Sequence, residues 1–502
     1  MVSGTIWSLV PPAAAIALAL LTKEVYLSLM TGILAGGLLC TGFHPLRAVE
    51  VTFGIMGDRM GENINIILFL ALLGIIVSLI TRSGASKAYG EWASRTIRSS
   101  RGALLATAAL GAMIFVDDYF NCLTVGTVMR PVTDKYQVTR AKLAYIIDAT
   151  AAPVCIIAPV SSWAAAVGSS LPEGSGIDGF SLFLQTIPLN LYAWFTLAFM
   201  LYLTAKRLDF SAMKRYEDQV RADGQEKTAD GERELVTGRG QVIDLILPIA
   251  ALIVLCVSAM LYTGGILEGK TAAAAFAGCD SAKSLVLGAF FTLIFLAALY
   301  LPRRVVLFSE MCESISAGVK SMVPAIIILS LAWSLSGICG EEYLNIGGFV
   351  GQAVGGSALV GALLPAGFFV IGAGLSFSTG TSWGTFGILV PIALAVTGTA
   401  NQEMLALSVA SILAGAVCGD HMSPISDTTI LASAGARCHH ISHVSTQLPY
   451  ALCVAACCLA GYLAGGLAGN GFAAIFVGAA ALILLLAVVT VKAKKSGSKI
   501  EG

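Results

Sequence analysis

GDHMSPISDTTILAS, residues 419 to 433, places charged and hydroxyl side chains between two strongly apolar segments. A charge in the middle of a membrane costs roughly 2.5–3.5 kcal/mol on insertion scales, so ionisable residues there usually face a cavity. Pro424 has no backbone N–H, so within a helix it would leave the carbonyl of Asp420 without a partner. Such a carbonyl, beside carboxylates and hydroxyls, suits a dehydrated hard cation. The stretch therefore predicts a broken membrane helix at an ion site, with a polar surface loop as the alternative.

The composition is that of a polytopic membrane protein. The chain has 502 residues, of which 57% are hydrophobic and only 12% are charged, and its mean hydropathy is +0.84. The net charge is zero, which indicates no nucleic-acid partner. The 12 cysteines form no CxxC pair, so they predict neither a disulfide framework nor a metal site. We expect the lipid bilayer as the partner, no resident cofactor and no enzymatic activity.

Runs of apolar residues predict an all-α fold with roughly 11–14 membrane segments, several of them broken. Similar sequences recur in the same order along the chain. DATAAPV near Pro153 resembles GDHMSPI near Pro424, and the segment that ends at Pro131 resembles the one that ends at Pro391. The predicted units are a first transmembrane repeat (1–204), a charged linker (205–240), a second transmembrane repeat (241–435), and C-terminal helices with a tail (436–502).

The loop charges predict the orientation of the chain. Loop 82–101 carries five Lys and Arg residues, whereas its counterpart 339–353 carries two Glu and neither Lys nor Arg. Cytoplasmic loops are enriched in Lys and Arg, so 82–101, the linker and the C-terminus are predicted to face the cytoplasm of a plasma-membrane protein, and the N-terminus the outside. Equivalent loops then lie on opposite sides, which makes the repeats inverted. Inverted repeats with broken helices are typical of secondary transporters.

Polar side chains within the apolar segments are the candidate ion-binding and substrate-binding residues. Asp117, Asn121 and Thr124 follow the i, i+4, i+7 spacing of one helix face. Hydroxyls and glycines at 376–384 predict unwound backbone lining a site. The complete set is Asp117, Asp118, Asn121, Thr124, Asp148, Ser378, Thr379, Thr381, Asp420, His421, Ser423, Asp427 and Thr428.

Structural roles compete with these functional ones. One acid of the Asp117–Asp118 pair could cap a helix that starts at the break. Lys142 is close enough in sequence to pair with Asp148 at the surface. Pro159 would free the carbonyl of Cys155 if that segment were helical.

The late cluster RCHHISH, residues 437 to 443, has several readings. His439 and His443 are four residues apart, a spacing that could bind zinc. The histidines could also sense the proton concentration. A third alternative is that the cluster is simply the polar start of a helix. A membrane-embedded metalloenzyme using these residues with His421 and His440 is the alternative outside transport.

Four stretches resemble the NhaC-type sodium/proton antiporter family: FVDDYFNCLTVGTVMRPVTDKYQVTRAKLAYIIDATAAPV, FSTGTSWGTFGILVP, GDHMSPISDTTILAS and CHHISHVSTQLPYAL. The resemblance implies an ion-transporter fold with inverted repeats and hairpin-like broken segments, and secondary transport of Na+ against H+. Some relatives instead couple ions to small organic anions or amino acids, so that substrate class stays open. The positions implicated are Asp117, Asp118, Asn121, Asp148, Ser378, Thr379, Asp420, Ser423 and Asp427.

Together these observations predict an antiporter that exchanges Na+ for H+ by alternating access at a mid-membrane site. Hydroxyls of Ser378 and Thr379 and the carbonyl freed at Pro424 would complete the oxygen shell. The sequence leaves open whether the protein forms a homodimer. The carboxylates expected to choose between Na+ and a proton are Asp117, Asp118, Asp420 and Asp427.

Overall fold

The computed structural model describes residues 3–22, 24–171, 177–223, 239–272, 275, 279–340, 342–345, 349, 358–398 and 401–497. Over these residues the regular elements are helices, which confirms the predicted all-α fold. The α-helices are α1 (Val10–Thr22), α2 (Val25–Cys40), α3 (Pro45–Glu62), α4 (Ile64–Ser83), α5 (Ala85–Thr96), α6 (Ser100–Met113), α7 (Asp118–Lys135), α8 (Arg140–Thr150), α9 (Ala152–Cys155), α10 (Ser162–Gly168), α11 (Gly179–Thr186), α12 (Leu191–Lys206), α13 (Ser211–Asp223), α14 (Ile243–Thr263), α15 (Ser281–Tyr300), α16 (Phe308–Cys339), α17 (Ala358–Thr379), α18 (Ser382–Thr397), α19 (Gln402–Met422), α20 (Asp427–Ala436), α21 (His440–Ala468) and α22 (Gly471–Gly497).

The chain is a multi-pass membrane protein. Within the described ranges, nine helices are long and apolar enough to cross a bilayer, and up to ten if the bent pair α2–α3 forms one span. That pair turns by 119° between Cys40 and Pro45. Fewer full-length helices are found than the predicted segments because broken segments divide into helices such as α8 and α20, which fall below the length of a span. Helix α7 has 18 residues but carries four charged ones.

Two helices, α3 and α5, were not predicted. Charged residues interrupt the apolar runs of both: Arg47, Glu50 and Asp58 lie in α3, and Lys87 and Glu91 lie in α5. Hydropathy alone does not detect such helices, because their stability comes from packing one face against neighbouring helices. Helix α5 packs against α7, one of the helices that carry the candidate site.

The predicted interruptions are present, and polar caps define them. Asp117, Ser161, Thr381 and Ser426 each precede a helix and accept a hydrogen bond from a backbone N–H of its first turn. A cap of this kind satisfies one of the orphan N–H groups at a helix start, which is valuable where water is excluded. The breaks therefore expose polar side chains and backbone at the same positions.

Two of the broken segments cross at close range. A Cβ atom added to Gly126 of α7 would lie 2.4 Å from the carbonyl carbon of Gly435 of α20, so only glycine permits this approach. Helix α8 also packs against α20, and α17 packs along α19. Residues of both predicted halves are thus brought together at the breaks. The inverted relation of the halves stays a prediction.

Two backbone hydrogen bonds join loops that are distant in sequence, while the membrane side of each loop stays a prediction. Gly240 N–H, at the end of the linker, donates to the carbonyl of Ser83 at 2.7 Å. Gly4 N–H donates to the carbonyl of Leu344 at 2.9 Å, which places the N-terminal residues beside the second-half loop. The linker is helical in α13, while 224–238 lie outside the described residues.

Candidate functional site

Asp148 lies at the centre of a buried polar cluster. Its carboxylate, on the last turn of α8, is fully buried. Oδ2 accepts from the Gln447 amide at 2.6 Å and from the Thr429 hydroxyl at 3.3 Å, and lies 3.3 Å from His443 Nε2. Oδ1 has no hydrogen-bond partner among the described residues. These partners come from α20 and α21, so the cluster joins the first half of the chain to the last helices.

His421 faces the free oxygen of this carboxylate. His421 Nε2 lies 3.9 Å from Asp148 Oδ1, and within the described structure that nitrogen also has no hydrogen-bond partner. Its Nδ1 lies 3.1 Å from the hydroxyl of Tyr192 on α12, which orients the ring. The gap between two unsatisfied buried atoms is a place where a proton can be held, because unpaired polar groups are costly in a low dielectric.

Asp420 lies one residue before His421 in α19 but has a different environment. The hydroxyl of Thr428 donates to Asp420 Oδ2, and Ser426 Oγ lies 3.2 Å from the same hydroxyl. Thr429, the next residue of α20, has its hydroxyl 3.3 Å from the Asp420 carbonyl oxygen. The surroundings of Asp420 are therefore rich in oxygen atoms, whereas nitrogen donors dominate around Asp148.

The adjacent acids at the start of α7 are also buried. Asp117 caps the helix by accepting from Phe120 N–H at 2.9 Å. Asp118 Oδ2 accepts from the indole N–H of Trp163 at 3.0 Å, and Trp163 packs edge-on against Trp383 at 5.8 Å between ring centroids. Capping thus accounts for Asp117, the alternative that the sequence left open, and it does not account for Asp118.

These acids share one region of the molecule. Cys122, one turn into α7, has a thiol close enough to interact electrostatically with four carboxyl groups. The thiol also donates to the carbonyl of Thr428 across the α7–α20 crossing. The four buried acids around it are Asp117, Asp118, Asp148 and Asp420.

Asp427 and Thr124, two further predicted site residues, differ in exposure. The Asp427 side chain is exposed at the first position of α20 and lies 3.5 Å from the hydroxyl of Tyr119. Thr124 is buried on α7. Among the residues that the structure describes, no point is surrounded by three His, Cys, Asp or Glu side chains in the manner of a metal site. Sodium binding at the predicted carboxylates stays a prediction.

Several of the predicted hydroxyls are occupied in holding backbone. Thr379 donates to Leu375 O within its own helix at 2.9 Å, and Thr381 caps α18. Ser423 donates to the carbonyl of Phe377 at 2.7 Å, which ties the α19–α20 break to the α17–α18 break. Ser378 is partly exposed.

Two expectations about the backbone were wrong. The carbonyl of Asp420 is not freed by Pro424, because α19 ends at Met422 and that carbonyl accepts from Ser423 N–H at 3.0 Å. The carbonyl of Cys155 accepts from the Ser161 hydroxyl at 2.8 Å. Helices that stop before a proline re-satisfy their last carbonyls locally.

The suggested surface pair of Lys142 with Asp148 was also wrong. Lys142 pairs with Asp209, which follows α12 and also accepts from the Tyr450 hydroxyl at 2.7 Å. Lys142 lies six residues before Asp148, about 9 Å along a helix, so the two side chains occupy different levels. Asp148 is consequently left to its histidine, threonine and glutamine partners.

Sequence reasoning missed His443 and Gln447 as partners of Asp148, and it missed Tyr192. His443 had been grouped with the polar start of α21. A usable signal was present, since His443 and Gln447 are four residues apart in α21 and so share a face. No motif or spacing in the sequence around Tyr192 indicated its contact with His421.

Asn121 holds the two broken segments of the first half together. Its amide nitrogen lies 2.7 Å from Gly111 O, 2.8 Å from Ile114 O and 3.0 Å from Thr150 O. Two of these carbonyls lie at the end of α6 and one at the end of α8. Asn121 is therefore a structural clamp on the helix ends that carry Asp117 and Asp148.

Replacing Asn121 with leucine is expected to lower thermal stability, because carbonyls at the helix ends lose their donor without gaining water. Each stranded buried carbonyl costs about 1–3 kcal/mol. The midpoint of thermal unfolding of the purified protein in detergent measures the loss. Gln185→Leu, the same amide-to-leucine change at an exposed position of α11, is the control. An unchanged midpoint for N121L would contradict the clamp.

Two of the similar proteins described below have names that state an activity, and both are antiporters. The family model of the Na+/H+ antiporter family matches residues 154–467. An uncharacterised protein of Haemophilus influenzae is 40% identical, covering 97% of this chain and 96% of its own length. A malate-2H+/Na+-lactate antiporter of Bacillus subtilis is 42% identical over 15% of this chain and 16% of its own length. An uncharacterised Na+/H+ antiporter of Haemophilus influenzae is 30% identical over 28% of this chain and 30% of its own length.

Proposed function

Because this chain belongs to the Na+/H+ antiporter family, we propose that it exchanges Na+ for H+ across the plasma membrane by alternating access. Its activity is transport, in which no covalent bond of the substrate changes. The linker and C-terminus would face the cytoplasm, as the loop charges predict.

One observation carries the proposal: buried carboxyl groups from both halves of the chain surround the crossing of α7 and α20. Asp118 and Asp148 come from the first half and Asp420 from the second, and the exposed fraction of each is 1% or less. Burying a charge that has no task is expensive. A set of acids that can exchange protons for a cation explains why so many are kept in this one region.

The cation fits best at the acids with oxygen neighbours. Around Asp420 these are the hydroxyls of Thr428 and Ser426, at the start of α20, the helix that packs against α7. Hard cations such as Na+ prefer carboxylate, hydroxyl and carbonyl oxygens over nitrogen donors. When protons occupy the acids, their attraction for Na+ is lost, and this competition couples the two fluxes.

Movement of the site between the two faces would be a rocking of one half against the other. The tight α7–α20 crossing at Gly126 and Gly435 is suited to act as a fulcrum, because backbone atoms rather than long side chains are in contact.

The proposal is tested by reconstituting the purified protein in vesicles that contain a pH-sensitive dye. An outward Na+ gradient should move protons inward, Li+ should substitute in part, and K+ should not. Vesicles without protein give the leak rate. Proton movement no faster than this leak for every cation would refute Na+/H+ exchange.

A second candidate is suggested by one relative, whose name describes an antiporter of malate with protons against lactate with Na+. An organic acid would here travel with protons or Na+ through the same region. Four buried acids would repel a bare carboxylate, so Na+ and H+ alone are favoured. Uptake of radiolabelled malate and lactate, measured in the same vesicles under a Na+ gradient, separates the candidates.

A further inference from the structure

We propose that Asp148, held by His443 and Gln447, is the proton-carrying station of the exchanger, distinct from the Na+-carrying acids around Asp420. The inference rests on the proposed exchange function and assigns its two substrates to two places. The cluster of Asp148, His443 and Gln447 is called the proton station below.

The chemistry of the neighbours separates the two places. Two nitrogens and one hydroxyl contact Asp148 Oδ2: the Gln447 amide at 2.6 Å, His443 Nε2 at 3.3 Å and Thr429 Oγ1 at 3.3 Å. A nitrogen that donates its hydrogen to this oxygen stabilises the ionised carboxylate and offers no lone pair to a cation there. Hydroxyl oxygens take that place at Asp420. A dehydrated Na+ is therefore disfavoured at Asp148, whereas a proton is readily exchanged there.

The second oxygen of the Asp148 carboxylate is available for the incoming proton. Asp148 Oδ1 is buried and has no hydrogen-bond partner among the described residues, whereas Gln447, Thr429 and His443 contact Oδ2. A proton that arrives from water therefore binds Oδ1 without displacing a partner. His421 Nε2 lies 3.9 Å from this oxygen, and Tyr192 contacts the far side of the His421 ring.

Other titratable groups face the station without replacing it. Asp420 lies on the same helix as His421, and its carboxyl interacts electrostatically with Asp148. Cys122 faces Asp148 from α7. Lys142 on α8 is engaged by Asp209 rather than by Asp148. His421 on α19 also faces Asp148, with Nε2 3.9 Å from Oδ1.

Helix α20 links the two places through neighbouring hydroxyls. Thr428 donates to the Asp420 carboxyl, while the Thr429 hydroxyl lies 3.3 Å both from Asp148 Oδ2 and from the Asp420 carbonyl oxygen. A hydroxyl has one proton, so Thr429 can serve only one of these acceptors at a time. A protonated Asp148 needs that donor less, and the hydroxyl then turns to the Asp420 carbonyl. Proton uptake at one place is in this way felt at the other.

The decisive experiment compares two kinds of flux for Asp148→Asn in vesicles. Na+-driven proton movement should fall on the order of 100-fold, the usual scale for removing a proton-transfer group. Exchange of radioactive Na+ for unlabelled Na+ should persist at saturating Na+. Its apparent Na+ affinity should be lower, because the amide resembles the proton-loaded carboxyl. Loss of Na+/Na+ exchange, or retention of Na+/H+ exchange, would overturn the assignment.

His443→Gln supplies a second readout that a purely structural role would not produce. The pH at which exchange is half-maximal should shift by about 0.5 unit or more, since the carboxylate loses an imidazole neighbour. His439→Gln, the same change at an exposed position one turn earlier, should leave the pH profile unaltered. A wild-type pH profile for H443Q would refute the proton station. If D148N does not fold, the pH profile of H443Q alone tests the proposal.

Failure of the inference is distinguishable from failure of the proposed function. If the unaltered protein moves no protons in response to Na+, the exchange function itself is wrong. If the unaltered protein exchanges Na+ for H+ but the variants give the overturning results, only the separate proton station is wrong.

Discussion

Replacing Asp420 with asparagine is expected to abolish Na+-driven proton movement and Na+/Na+ exchange together. A carboxylate in contact with a cation contributes roughly 4 kcal/mol at an effective dielectric constant near 20, and its loss weakens Na+ binding by on the order of 100-fold or more. Asp420 is buried among hydroxyl oxygens, so no water can replace the lost charge. The joint loss distinguishes D420N from D148N, in which Na+/Na+ exchange is expected to persist.

Both fluxes are measured in vesicles of equal protein content, after gel filtration has shown a monodisperse protein. Asp218→Asn, the same change at an exposed position of α13, is the matched control. Thr428→Val, which keeps the shape but removes the hydroxyl, should raise the apparent KM for Na+ while keeping the maximal rate. Wild-type fluxes for D420N would remove this acid from the Na+ site.

Replacing Gly380 with alanine is expected to disrupt both stability and transport. Gly380 has φ of +71°, and an added Cβ would lie 2.3 Å from the carbonyl oxygen of Ile425. The left-handed conformation costs a non-glycine residue about 1–2 kcal/mol, and overpacking typically adds about 1–3 kcal/mol. Relief requires the 423–426 loop to move away, which displaces Asp420 and Thr428 from each other.

Gly374→Ala is a close control, because Gly374 lies on α17, the helix that ends just before Gly380, and an added Cβ there meets nothing within 4 Å. Alanine is the better helix former by up to about 1 kcal/mol, so G374A should match or exceed the wild type in thermal stability. The midpoint of thermal unfolding and the Na+/H+ exchange rate are measured for both variants. Equal results for G380A and G374A would show that the contact with Ile425 is unimportant.

The breaks illustrate how far local sequence reasoning reaches. Proline, glycine and a capping side chain specify a helix end within a few residues, and the predicted interruptions near Asp117, Gly380 and Pro424 are all present. The same reasoning went wrong at the Asp420 carbonyl, because it assumed a helix running through Pro424. The chain instead ends the helix and satisfies that carbonyl from Ser423.

The charged residues illustrate where local sequence reasoning stops being sufficient. Lys142 is near Asp148 in sequence, yet it pairs with Asp209, 67 residues away. Thr429 and Gln447 are 281 and 299 residues from Asp148, and they are the side chains that bind it. The pairing of Lys142 with Asp209 and that of Thr429 with Asp148 leave no trace in hydropathy or spacing.

By itself the sequence determined the all-helical membrane fold, the positions of the breaks and most of the candidate acids, since burial in lipid, proline chemistry and helix capping act locally. Only the tertiary structure decided that Asp148 faces nitrogen donors and Asp420 faces hydroxyls. The crossing of α8, α20 and α21 chooses those neighbours, and a crossing depends on how whole helix surfaces fit together rather than on any one stretch of residues.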